Sequence, residues 1–111
     1  FEHPMRQMTV QQLHAILSEA DGAKPLLLDV REPWEWQLAR IEGSQHIPMG
    51  DIPARAEELD KTQSTVVICH HGVRSLQVVA FLQRQGHARV YNLAGGVDAW
   101  STQVDRDVPR Y

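Results

Sequence analysis

The chain is poor in the features that staple, anchor or coat. Its 111 residues include one cysteine. That count excludes an internal disulfide and any multi-cysteine zinc or iron–sulfur site. Its apolar runs, Leu26–Leu28 and Val66–Cys69 among them, fall far short of the roughly 20 residues that cross a bilayer. There is no excess of positive charge. Lys and Arg number 11 against 14 Asp and Glu, a formal net charge of −3, which argues against a protein that coats nucleic acid. Repeats, low-complexity tracts and linker-like stretches are missing too. No signal-peptide pattern is visible, and a cytoplasmic protein that binds no membrane is expected. Phe1–Arg6 begins without an initiator methionine and is set aside from the fold reading. What is present is a length that suits one domain, large enough to build a core without staples.

Helical and extended patterns alternate along the chain. Thr9 can cap a first helix, with Gln12 three residues later as a capping box needs, and Met8 and Leu13 are placed as a hydrophobic staple. Val10, Leu13, Ile16 and Leu17 form its apolar face, and Asp21-Gly22 ends it. Leu26–Val30 reads as a strand buried on both faces. Pro33 opens a short helix through Trp36. His46-Ile47 is a short strand stopped by Pro48, and Pro53–Leu59 a further short helix. Thr65–Ile68, rich in β-branched residues, is the clearest strand. Ser75–Gln85 is helical with Gly86 as its C′ residue. Val90–Leu93 is a last strand, and Gly95-Gly96 turns into a helix through Trp100. This order predicts an α/β domain with a mostly parallel sheet. In such sheets ligands bind beyond the carboxyl ends of the strands. Two strand ends stand out on that rule: Asp29-Val30-Arg31, and Cys69 with the residues after it.

Cys69-His70-His71-Gly72-Val73-Arg74-Ser75 lies between a buried strand and a helix. The thiolate is the reactive form of cysteine, so a nucleophilic thiol needs surroundings that favour negative sulfur. A helix N-terminus supplies partial positive charge, and successive loop amides can converge into an anion nest. Gly72 allows backbone angles that a Cβ resists. Arg74 can fork to an oxyanion or tie the loop to a carboxylate. The bland alternative is a cysteine buried as a small hydrophobe, but the strand–Cys–loop–helix placement favours a reactive one. His70 and His71 invite a metal reading. Neighbours in sequence do not easily converge on one ion and the sequence offers no further ligand cluster, so no metal and no cofactor is expected. Their amides are expected to line the loop and their rings to shape its rim. Asp29 and Arg31 read as a cap and a structural ion pair, and the three tryptophans as core or rim aromatics.

Four segments, in order, resemble one family. They are Leu28-Asp29-Val30-Arg31-Glu32-Pro33-Trp34-Glu35, Ile41-Glu42-Gly43-Ser44 with His46-Ile47-Pro48, the Cys69 loop, and Val90–Gly96 running on to Trp100. Together they are similar to the single-domain rhodaneses, the rhodanese-like sulfurtransferases. The central segment departs from the family's usual Gly-His-Ile, reading Ala39-Arg40-Ile41. The resemblance implies a rhodanese-like domain over residues 5–104, with 1–4 and 105–111 as terminal extensions. It implies a five-stranded, mostly parallel sheet with helices on both faces. It further implies a ping-pong in which Cys69 takes sulfane sulfur from a donor such as thiosulfate or a persulfide and passes it to cyanide or a thiol. The amides from His70 to Ser75 would cradle the persulfide. Asp29 would lie near the loop, and Arg31 would brace the scaffold around Glu32 or another carboxylate.

The six-residue Cys-x4-Arg loop separates this reading from a cysteine phosphatase or arsenate reductase of related fold, whose Cys-x5-Arg loop is wider. A sulfur relay, loaded by a protein donor and emptied onto a protein acceptor, needs the same cysteine. With no second cysteine in the chain, Cys69 cannot be resolved internally as a disulfide, so an external acceptor must end its cycle.

Overall fold

The fold is described by a computed structural model, which covers residues 6–19 and 22–111. Ten elements follow one another: β1 (Arg6–Met8), α1 (Val10–Ser18), β2 (Leu26–Asp29), α2 (Pro33–Leu38), β3 (Gln45–His46), α3 (Ile52–Arg55), β4 (Thr65–Ile68), α4 (Arg74–Arg84), β5 (Val90–Leu93) and α5 (Gly96–Gln103). The strands form one sheet in the order β1-β5-β4-β2-β3. Every pairing in it is parallel. The expected α/β class and five-stranded sheet are present, and the sheet is wholly rather than mostly parallel.

Both faces of the sheet are apolar, which is why β2 and β4 read as continuous hydrophobic runs. Successive side chains point to opposite faces. Leu28, Val67 and Cys69 pack on one side with Ile52 from α3 and Val78, Val79 and Leu82 from α4. Leu27, Val66 and Ile68 pack on the other with Val10 and Leu13 from α1 and Val97 and Trp100 from α5. β4 is the middle strand and is buried at all four positions. Cys69 therefore leaves the sheet at its centre.

The α1 capping box forms as expected. Thr9 Oγ1 accepts from the Gln12 amide at 3.1 Å, and Gln12 Oε1 accepts from the Thr9 amide at 2.9 Å. The helix ends at Ser18, short of Asp21-Gly22. Lys24 Nζ reaches back to the Ile16 carbonyl at 3.0 Å and to that of Glu19, satisfying late carbonyls. Asp21 lies outside the described residues, as do residues 1–5 and 20. The helix read over Pro53–Leu59 is a four-residue α3 between 3₁₀ turns at Met49–Asp51 and Ala56–Glu58. The short strand expected at His46-Ile47 sits one residue earlier, and α5 continues past Trp100.

β1 corrects the expectation that Phe1–Arg6 lies outside the fold, since Arg6 belongs to a strand. Arg6-Gln7-Met8 adds an edge strand beside β5. Its amides and carbonyls are satisfied by the neighbouring backbone whatever the side chains, so the hydrophobic pattern carries no sign of it. Residues 105–111 also fold back. Val108 joins the core beside Trp100, and Ser101 Oγ donates to the Val108 carbonyl.

Candidate active site

The Cys69 sulfur sits among neutral hydrogen-bonding groups. The Gly72 amide lies 3.1 Å from Sγ and the Ser75 amide 3.4 Å. Ser75 is the second residue of α4, so its amide is one of the free N-terminal donors of a helix. The Ser75 hydroxyl is 3.2 Å from Sγ. It donates to Asn92 Oδ1 on β5, which leaves its oxygen to accept from the thiol. Asn92 is itself oriented, because its Nδ2 donates to the Gly72 carbonyl at 3.1 Å and to Gln7 Oε1 at 2.9 Å. Cys69 is 1% exposed, so the sulfur is shielded from solvent.

The loop is pressed against the start of α5. The Val97 amide donates to the Cys69 carbonyl at 2.9 Å and the Asp98 amide to the His70 carbonyl at 3.0 Å. A Cβ at Gly96 would stand 2.2 Å from the Cys69 carbonyl oxygen. Gly72 has φ +89°, and a Cβ there would lie 3.0 Å from the Gly95 amide nitrogen. Both glycines are therefore required by the fit of loop to scaffold. Gly95-Gly96, read as a tight turn, forms the backing of the loop.

The ions stand one layer away. Arg74 forks onto Glu35, Nη1 to Oε1 at 2.7 Å and Nη2 to Oε2 at 2.8 Å. Of the two roles open to Arg74, the structure shows the tie to a carboxylate. That pair, with the Tyr111 hydroxyl, holds the Glu35 carboxyl down at about 2, and Glu35 in turn raises Arg74. Arg31 pairs with Asp29 rather than Glu32. Its Nε lies 2.9 Å from Asp29 Oδ1 and its Nη2 2.7 Å from Oδ2, with both side chains fully buried. Burial opposes the Arg31 charge, and the bonds to Asp29 and Tyr111 more than offset it. Arg31 Nη2 also donates to the Ala39 carbonyl, which secures the segment where the family pattern is broken. Arg40 stacks its guanidinium on Trp36, 4.0 Å from the ring centre.

His70, His71 and Tyr111 form a stack. The His70 ring lies 3.9 Å from His71 on one side and 3.9 Å from Tyr111 on the other. Burial, then the neighbouring His71, lowers the His70 pKa, so its ring is neutral at pH 7. The structure does gather a ligand set absent from the sequence reading: His70, His71 and Asp98 place donor atoms within 4.8 Å of one another. Their geometry suits packing better than chelation. Stacked imidazoles point their in-plane lone pairs side by side, whereas bonds of about 2 Å to one zinc ion require donors converging to about 3.3 Å. Arg110 already occupies Asp98 Oδ1 at 3.1 Å.

Of the residues read from sequence, Cys69, Gly72 and Ser75 meet at the sulfur, and His70 and His71 form the rim. Val73 points outward, 67% exposed. Asp29, Arg31 and Arg74 belong to the ionic frame. Trp100 is core, while Trp34 is 60% exposed and packs edge-on against Tyr111. Sequence reasoning missed Asn92, Glu35 and Tyr111 as site residues. Asn92 left a faint signal, being a polar side chain in an otherwise buried strand.

These features define a class: a doubly covered parallel α/β domain with a lone thiol held in an amide-lined loop at the end of the central strand. The chain belongs to the rhodanese-like domain family, whose profile matches residues 9–103. It is 42% identical over 82 residues to a sulfurtransferase of Allochromatium vinosum, covering 74% of this chain and 77% of that protein. It is 35% identical over 98 residues to the "Adenylyltransferase and sulfurtransferase MOCS3-2" of Zea mays, covering 82% of this chain but 20% of that protein. Another curated relative is matched over 38% of its own length. The crystal structure of a rhodanese-like domain protein from Staphylococcus aureus superposes with a TM-score of 0.81 at 29% identity, covering 96% of this chain and 99% of that one. Among the described residues no helix is long and apolar enough to cross a membrane.

Proposed function

We propose that the protein is a sulfurtransferase that carries sulfane sulfur on Cys69. The observation that carries this reading is the pair of amides, Gly72 and Ser75, aimed at Cys69 Sγ. Fixed dipoles around an excluded sulfur favour a negative charge there without reorganising during the reaction. A persulfide anion draws on the same donors as a thiolate.

In the first half-reaction the Cys69 thiolate attacks the outer sulfur of a donor such as thiosulfate. The S–S bond of the donor breaks and its electron pair leaves with sulfite. Cys69 then bears a terminal –S–S⁻. In the second half-reaction cyanide or an acceptor thiolate attacks the terminal sulfur. The S–S bond of the persulfide breaks and its electron pair returns to Cys69. Asp29 and Arg31 take no part in these steps and brace the strand end. A phosphatase reading fits less well, since the loop arginine that would fork to a phosphoryl group is spent on Glu35.

A relay between proteins is favoured by a separate observation. Three guanidiniums around the loop are paired with carboxylates: Arg31 with Asp29, Arg74 with Glu35 and Arg110 with Asp98. A small dianion finds little unpaired charge there, while exposed Val73 and Trp34 offer apolar surface to a larger partner. The relative that joins a sulfurtransferase to an adenylyltransferase is consistent with such hand-over. Steady-state thiocyanate formation from thiosulfate and cyanide, set beside sulfur loading from a cysteine desulfurase, tests both readings. Faster loading from the protein donor supports the relay. Faster turnover of thiosulfate supports the small-molecule enzyme, and no transfer from either donor overturns the proposal.

A further inference from the structure

Tyr111 lies beyond the span matched by the family profile, which ends at residue 103, yet it touches three parts of the site. Its hydroxyl accepts from Arg31 Nη1 at 2.6 Å and donates to Glu35 Oε2 at 2.7 Å. Its ring lies on His70, nearly parallel at 8°. It thereby joins the buried Asp29–Arg31 pair to the Glu35–Arg74 pair, and both to the residue next to Cys69. The segment that delivers it is secured at buried Val108 and by the Arg110–Asp98 pair.

The chemistry requires a phenol. Phenylalanine could stack on His70 as well, but only a hydroxyl can accept a hydrogen bond from a guanidinium while donating one to a carboxylate. Burial pushes the Tyr111 phenol up to about 12, so it stays protonated and keeps its donor. Glu35 Oε2 receives both the Tyr111 hydroxyl and Arg74 Nη2. Arg74 opens α4, one residue before the Ser75 amide that faces the sulfur.

We infer that Tyr111 is a positioning residue for the Cys69 loop, acting through Glu35 on Arg74 and through its ring on His70. The step it serves rests on the sulfur-transfer reading, whereas the contacts themselves do not. Two readouts separate the two ideas. Alkylation of Cys69 by iodoacetamide reports loop opening without any sulfur chemistry. Persulfide formation from thiosulfate, measured as kcat and KM, reports the proposed reaction.

Tyr111→Phe is expected to raise the alkylation rate about threefold, because a sulfur that is 1% exposed must wait for the loop to open. It is expected to lower kcat about fivefold with KM little changed, the scale of one ordinary hydrogen bond. In a Glu35→Gln background the same change should add almost nothing to either readout, as expected for residues in one network. Circular dichroism melts accompany each variant, so that a loss of folding is told apart from a change at the loop. Alkylation and kcat within twofold of wild type, or an undiminished effect in the Glu35→Gln background, would overturn the inference. Should the wild type take up no sulfur, the sulfur-transfer reading fails and alkylation alone decides the role of Tyr111.

Discussion

The groups that touch Cys69 Sγ are two amides and a hydroxyl, whereas the charged side chains around the loop are paired with one another away from the sulfur. The difference follows from cost. A charge beside a buried sulfur would have to be desolvated and could hold one protonation state of that sulfur too firmly. Amide dipoles fixed by the fold favour negative charge at lower cost. Ions placed one layer out can pair with each other, so their charges cancel locally while their hydrogen bonds fix geometry. The two ion pairs also differ from one another. Asp29–Arg31 is wholly buried, while Arg74 is 37% exposed against a Glu35 that is 4% exposed. The inner pair locks the strand end, and the outer pair ties the loop to α2.

The contrast breaks most sharply at the sulfur. Cys69→Ser is expected to reduce sulfur transfer to background with a melting curve close to wild type. Substantial activity in that variant would remove Cys69 from the reaction. Next in size is Asp29→Ala, which strands the Arg31 guanidinium in the core. Leaving a buried charge unpaired costs about 3–5 kcal/mol, and denaturant unfolding should show that loss. A change below about 1 kcal/mol would place this pair on a par with surface ion pairs.

Glu35 comes next. Its folded carboxyl titrates at about 2 against 4.5 for the ordinary group. A lowered carboxyl stabilises the fold fully above the unfolded value and loses that stabilisation as pH falls from 4.5 toward 2. Allowing for the exposure of Arg74, the contribution is roughly 1–3 kcal/mol. Glu35→Gln should flatten the stability curve across that window, and an unchanged acid limb would show that the carboxylate is not held by Arg74. Asn92→Ala is expected to cost about 1–2 kcal/mol through lost hydrogen bonds and to slow sulfur loading, read by stopped-flow. Loading at the wild-type rate would mean that the Ser75 hydroxyl needs no orientation.

The smallest effect is at His87, far from the sulfur in sequence. It is 3% exposed with neither ring nitrogen bonded, and burial lowers its pKa from 6.5. The unfolded chain therefore protonates first. Stability is complete above 6.5 and falls as pH drops through the folded value. His87→Leu should remove part of that slope, and His70, lowered in the same direction, should retain the rest. An identical slope in the variant would contradict the assignment.

What could be read from the sequence follows the same division between neighbours and frame. β4, β5 and α4 were legible because burial on both faces of the sheet forces apolar, β-branched runs. The sulfur site was legible because a strand, a cysteine, a glycine-bearing loop and a helix are contiguous. β1 was not, because an edge strand of Arg-Gln-Met gains its place from backbone pairing with β5. Glu35 and Tyr111 were not, because their partners lie far along the chain: 39 residues separate Glu35 from Arg74 and 76 separate it from Tyr111. No local pattern encodes such pairings. The Asp29–Arg31 ion pair, by contrast, is legible as a strand-end pair because its members are two residues apart.

The central claim is that the amide-lined loop loads one sulfur onto Cys69. Intact-mass measurement of the wild-type protein after incubation with thiosulfate, and separately with a desulfurase-bound persulfide, tests it directly. The account predicts a gain of one sulfur atom from at least one donor, lost again as thiocyanate on adding cyanide and absent in Cys69→Ser. An unchanged mass with both donors, in protein whose Cys69 still alkylates, would contradict it.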